Sequence, residues 1–92
     1  MPEKIRVPPT VRVVEVGEES ILLNVDTGKI HALNATAGYV WKLLQNDGPL
    51  TIREIQNRLK HHYEVSEEEL DKGITELMDD LQKRKLIERF SE

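Results

Sequence analysis

From Thr10 to Val16 the chain reads TVRVVEV, and from Ser20 to Asp26 it reads SILLNVD. Both segments are rich in β-branched and aliphatic residues near the two-residue period of a strand. The alternation breaks at Val13-Val14, which predicts either a bulge or a strand buried partly on both faces. Gly17 to Glu19 forms the first turn. In the second strand Ile21, Leu23 and Val25 share a face. A third short strand follows, Lys29 to Leu33, and Thr27-Gly28 reads as a two-residue turn leading into it. That turn sets Val25 opposite Ile30 and Leu23 opposite Ala32, keeping one face apolar throughout. A three-residue turn would set Val25 opposite Lys29 and Leu23 opposite His31, so face matching favours the first register.

After Asn34 the period changes to that of helices. Asn34 is placed as an N-cap, and Ala37, Val40, Trp41 and Leu44 recur at i, i+3, i+4 and i+7. Asn46-Asp47-Gly48-Pro49 ends this helix. Thr51-Ile52-Arg53-Glu54 fits a capping box, and Ile52, Ile55 and Leu59 form the buried face of a second helix. Ser66 to Glu69 is a second capping box, opening the longest helix. Its apolar stripe is Leu70, Ile74, Leu77, Met78 and Leu81, and the cations from Lys83 to Lys85 suit its C-terminal dipole. Leu86-Ile87 returns to the core as a short extended tail. Met1 to Pro9 is predicted to be an exposed, flexible lead-in, because Pro8-Pro9 blocks helix and ladder alike. The expected architecture is α+β, a three-stranded antiparallel sheet followed by three helices, with residues 10–92 as one domain. The second and third helices form a helix-turn-helix-like pair, which makes it a winged-helix arrangement.

Composition narrows the function classes. Ninety-two residues suit one domain, and 38% hydrophobic residues supply a modest core. Seventeen acidic against 13 basic residues, a formal charge of −4, weigh against nucleic acid as a partner. Cysteine is absent, which removes disulfides, thiolate nucleophiles and sulfur metal sites. No apolar run approaches the roughly 20 residues that span a bilayer, and MPEKIRVPPT lacks the apolar core of a signal peptide. The expectation is a reduced, cytoplasmic protein with no membrane partner.

Candidate chemistry is sparse. There is no Ser/His/Asp set, metal-ligand spacing or glycine-rich phosphate loop, so the chain reads as a non-enzyme without cofactor or metal. His31, His61 and His62 form no ligand set, since His61 and His62 point to different helix faces. A DNA-binding winged helix would place the third helix in the major groove. Between Ser66 and Asp80 that helix carries seven acidic residues and one basic residue, Lys72, the wrong sign against phosphates. What remains is the strand Lys29 to Leu33, because a sheet edge can be paired by another chain.

The segment from about Leu22 to Ile87 resembles the PqqD-like family, chaperones of pyrroloquinoline-quinone biosynthesis. Within it, the chain looks most like the stand-alone leader-binding proteins of lasso-peptide pathways. The resemblance is carried by Leu22-Leu23, Thr27-Gly28, Leu33-Asn34, Gly38, Trp41 and Leu44, then by Thr51 to Ile55, Tyr63-Glu64-Val65 and the closing Leu81 to Ile87. It implies a recognition element that binds the leader of a ribosomally made precursor peptide as an added strand on the third strand. The third helix completes the groove, and the precursor passes to a leader peptidase and a cyclase. A quinone-cofactor chaperone serving a radical enzyme is the alternative within the family.

Mapped onto this chain, the leader-binding residues are Lys29, Ile30, His31, Ala32 and Leu33 on the strand. On the helix they are Leu70, Asp71, Ile74, Thr75 and Met78. Ile30, Ala32, Ile74 and Met78 are the candidates to line an apolar pocket, although stripe residues such as Ile74 and Met78 also suit the core. Lys29 and His31 either flank the leader or are simply solvated. Gly73, inside a helix, signals a close backbone approach or a tolerated surface position. Trp41 reads as core. The acidic run from Glu67 to Asp71 is N-terminal helix chemistry, with attraction of a basic leader as the second reading.

Overall fold

The computed structural model describes residues 3–91. In chain order the elements are β1 (Glu3–Arg6), β2 (Val11–Val16), β3 (Glu19–Asn24), β4 (Lys29–Leu33), α1 (Ala35–Asp47), β5 (Leu50–Thr51), α2 (Ile52–His62), α3 (Glu67–Lys83) and β6 (Glu88–Ser91). The antiparallel sheet β2-β3-β4 precedes the three helices, as the periodicities predict. The β2–β3 ladder runs unbroken from Val11↔Asn24 to Val16↔Glu19, so Val13-Val14 forms no bulge. Gly17, at φ +63°, makes the turn between the two strands.

The turn before β4 differs from the expected one. Strand pairing starts at Asn24↔Lys29, which sets Leu23 opposite Ile30 and Ile21 opposite Ala32. The connection therefore takes four residues, not two. Asn24 organises it: its Oδ1 accepts from the amides of Asp26 (3.0 Å) and Thr27 (3.3 Å), and its carbonyl accepts from Gly28 at 2.8 Å. Such Asx-turn bonding competes with further ladder pairing. Gly28 sits at φ +73°, where a side chain would be strained.

A slip of two residues keeps every side chain on its predicted face. That face, however, points outward. Ser20, Leu22 and Asn24 are the buried positions of β3, and Leu33 is the buried position of β4. The inward choice is enforced by α1, which lies so close to β3 that a Cβ on Gly38 would stand 2.6 Å from Ser20 Oγ.

The helices follow their caps. Asn34 Oδ1 accepts from the Ala37 amide at 2.9 Å, and α1 buries Val40, Trp41 and Leu44. Thr51 and Glu54 form a reciprocal capping box at the start of α2, which buries Ile55 and Leu59 and half-buries Ile52. Ser66 Oγ accepts from the Glu69 amide at the start of α3, the half of the second box that is present. Helix α3 buries Leu70, Ile74, Met78 and Leu81, with Leu77 half-buried. It stops where Lys85 takes φ +61° and the Leu86 amide donates to the Leu81 carbonyl. Leu86 and Ile87 return to the core as expected, and the Trp41 indole donates to the Leu86 carbonyl at 3.0 Å.

A second antiparallel sheet, β5-β1-β6, was not expected. The exposed lead-in assigned to residues 1–9 is instead a central strand over Glu3–Arg6, with Ile5 fully buried opposite Leu50 and Arg89. Met1 and Pro2 lie outside the described residues. The proline pair stops the ladder after Arg6 but does not prevent it before. One apolar residue in EKIR gives no period to read, so only the tertiary partners reveal the strand.

Candidate functional site

Strand β4 is an edge of its sheet, with its free side toward α3 and the C-terminal end of α2. Between them opens a cavity of about 410 Å³. Ala32 and Leu33 of β4, with Thr36 and Ala37 at the start of α1, form one wall. Leu59, Leu70 and Ile74, all buried, form the floor. The opposite wall is the α3 stripe Glu69, Gly73, Leu77 and Asp80, continued by the C-cap residue Arg84 at the same helical spacing. The other edge of the sheet, β2, contributes no residue to this cavity.

Polar contacts hold the walls. Lys60 pairs with Glu67, and Gln56 donates to Asp71 at 2.6 Å, joining α2 to α3. The hydrogen bond from Lys60, together with its charge, lowers the Glu67 carboxyl from its ordinary pKa. Tyr39 stacks on His62 with ring centres 4.2 Å apart, and Tyr63, which lines the cavity, meets both rings edge-on. Arg84 and Asp80, both on the cavity wall, form an ion pair at 2.9 Å. Among the described residues, no group of three or more His, Cys, Asp or Glu could hold a metal ion, and no helix is long and apolar enough to cross a membrane.

The family of coenzyme PQQ synthesis protein D (PqqD) matches residues 19–87, well over half of the chain. The chain belongs to the PqqD family. No curated protein gave a match. Two solved structures share the fold of this PqqD-family chain. One is TbiB1 in complex with the TbiA(beta) leader peptide, with TM-score 0.82 and 21% identity over 95% of this chain and 99% of that one. The other is lasso peptide synthetase B1 complexed with the leader peptide, with TM-score 0.75 and 21% identity over 91% and 96% of the two chains.

The ten residues read from the sequence separate in this PqqD-family fold. Ala32, Leu33, Leu70 and Ile74 come together in the cavity. Lys29 is exposed on β4, and Ile30, 70% exposed, points from the outer sheet face rather than into the cavity. His31 lies on the inner face, where its Nε2 is buried without a hydrogen-bond partner among the described residues. Asp71 is engaged by Gln56, and the Thr75 hydroxyl donates to the Asp71 carbonyl at 2.9 Å. Met78 is fully buried in the core and lines no part of the cavity. The cavity face of α3 is thus turned by about one residue from the predicted one, roughly 100° of helix. The cavity adds residues the sequence reading did not name for the site: Glu69, Gly73, Leu77, Asp80 and Arg84 on that face, Asn34, Thr36 and Ala37 where α1 begins, and Leu59, Tyr63 and Val65 at and after the end of α2. Gly73, a helix-interior glycine, was the one sequence signal that could have set the rotation.

The outer face of β2-β3-β4 has its own character. Val14, Val16 and Ile30 are each at least 60% exposed, and Leu23 and Val25 join them at 37% and 52%. Arg12 and Glu19 bound this apolar field at its two ends. A contiguous apolar patch on a small domain marks an interaction surface more often than chance exposure.

Proposed function

We propose that this chain binds the leader segment of a ribosomally synthesised precursor peptide as a strand added to β4 beside α3. It delivers that precursor to the modifying enzymes of lasso-peptide biosynthesis, a leader peptidase and a cyclase, in the cytoplasm, without catalysing a step itself. The observation that carries the reading is an apolar cavity opening directly beside an unpaired strand edge. Backbone groups of Lys29 to Leu33 would supply affinity independent of leader sequence, while the cavity would supply selectivity.

The magnitudes require both. Ordering a disordered leader costs about 2–5 kcal/mol. Each backbone hydrogen bond returns about 0.5–1.5 kcal/mol, and burying one Leu-sized side chain about 1.5–3 kcal/mol. The family resemblance and the two leader-bound structures of the same fold support this assignment.

Delivery needs a second surface. An added leader strand would extend β2-β3-β4, and its outward side chains would continue the apolar field of Val14, Leu23 and Ile30. An enzyme resting there would touch protein and leader together, so docking and cargo are coupled. Under this reading Ile30 serves the enzyme through its side chain and the leader through its backbone.

Titration of a fluorescent leader peptide from the neighbouring precursor gene tests the reading. Leu77→Glu should weaken binding about tenfold or more, whereas Ile30→Asp should keep leader affinity but slow leader removal by the partner peptidase. Absence of leader binding by the unmodified protein would overturn the proposal. The family description favours one second reading, a peptide chaperone in quinone-cofactor biosynthesis. Tight binding of that pathway's precursor, in place of a lasso leader, would select it.

A further inference from the structure

Helix α3 presents two stripes. Leu70, Ile74, Met78 and Leu81 face the core, and Glu69, Gly73, Leu77, Asp80 and Arg84 form the cavity wall. Gly73 is the only position of the wall stripe without a side chain. Its neighbours Glu69 and Leu77 stand one turn away on either side, about 6 Å along the axis. A Cβ built on Gly73 would meet no heavy atom within 4 Å. Nothing in the fold therefore requires glycine here: no neighbouring backbone presses on it, and its φ is not in the left-handed region. Helix propensity argues against glycine at this point of a 17-residue helix. The space over Gly73 opens onto the apolar floor of Leu70 and Ile74, and the facing wall carries the short side chains of Ala32 and Ala37. Short residues thus line the cavity from β4, α1 and α3 alike.

We infer that Gly73 sets the size selectivity of the leader groove: its missing side chain leaves a notch in the α3 wall, between Glu69 and Leu77, that receives one bulky apolar side chain of the leader peptide. This rests on the leader-binding reading above. An added strand on β4 sends alternate side chains toward α3, so one residue of the leader lies at the level of the notch. A side chain at position 73 would occupy the volume that this residue needs.

The test combines two substitutions with an alanine scan of the labelled leader from the neighbouring precursor gene. Gly73→Ala should raise Tm by about 4–8 °C, through better helix propensity, while weakening leader binding several-fold. Gly73→Leu should keep the fold, read by circular dichroism and Trp41 fluorescence, and weaken binding by about 10- to 200-fold. That loss should vanish for the leader variant in which the notch-filling apolar residue is alanine, and for no other variant. Unchanged affinity in Gly73→Leu would make Gly73 a tolerated surface glycine and overturn the inference. A loss spread evenly over the alanine scan would also overturn it, since position 73 would then obstruct the leader backbone. Failure of the unmodified protein to bind any leader variant would overturn the leader-binding reading itself.

Discussion

Gly38 and Gly73 both occupy helix interiors, where glycine is about 1 kcal/mol worse than alanine, yet their surroundings are opposite. A Cβ on Gly38 would lie 2.6 Å from Ser20 Oγ and 3.2 Å from Ser20 Cβ, against a residue only 1% exposed. Overpacking of this kind costs about 1–3 kcal/mol and outweighs the propensity gain. Gly38→Ala should therefore lower stability by up to about 2 kcal/mol, read as a lower urea midpoint at unchanged slope. Ser20→Ala in the same chain should recover part of that loss by removing the nearest atom. Equal or higher stability of Gly38→Ala alone would show that α1 can move off β3. At Gly73 no atom opposes a methyl group, so the same substitution has the other sign.

At the scale of the element, the start of α2 shows how local chemistry sets a boundary. Glu54 Oε1 accepts from the Thr51 amide at 3.1 Å, and Thr51 Oγ1 accepts from the Glu54 amide at 3.1 Å. The backbone hydrogen bond from Thr51 is the largest cause lowering the Glu54 pKa, followed by the Thr51 side chain. A carboxylate lowered on folding stabilises the fold above its unfolded pKa, and that contribution is lost as pH falls through the lowered folded value. Glu54→Gln should therefore lower Tm slightly at neutral pH and flatten its fall below the ordinary glutamate range. An acid limb as steep as that of the unmodified protein would refute the assignment. Glu67, lowered by Lys60, acts in the same direction, so the limb should flatten without disappearing.

For the whole molecule, the second sheet is the structural brace. β1 is its central strand, pairing β6 over four residues and β5 at Lys4↔Thr51 and Ile5↔Leu50. It thereby ties the chain's beginning to the N-cap of α2 and to the tail after α3. Ile5, fully buried, belongs to the same core cluster as Trp41, Leu22 and Leu81. Ile5→Ala should cost about 2–5 kcal/mol, a large share of the 5–15 kcal/mol typical of a domain. Denaturant unfolding measures it, and a loss below about 0.5 kcal/mol would mean that β1 is dispensable. If the chain binds a leader as proposed, affinity per folded molecule should be unchanged, because the cavity is lined by β4, the helices and the segments beside them and by no residue of the second sheet.

The amino-acid sequence by itself determined the elements whose signals are local. Three helices followed from the 3.6-residue period and from side chains at Asn34, Thr51 and Ser66 that cap their own backbone. Strand β4 was legible at its observed bounds, and the family resemblance pointed to its edge. Tertiary structure decided which face turned inward. Alternation marks two faces of a strand without saying which is the core. Here Ser20 and Asn24 go inside, beside Gly38 and the turn, while Ile30 and Val14 stay out. The same holds for α3, whose groove face is one residue around from its core stripe, and for β1, where a lone Ile5 becomes readable only beside Leu50 and Arg89. Backbone conformation answers to neighbours a few residues away, but burial answers to whatever packs against the element, and that is set by distant parts of the chain.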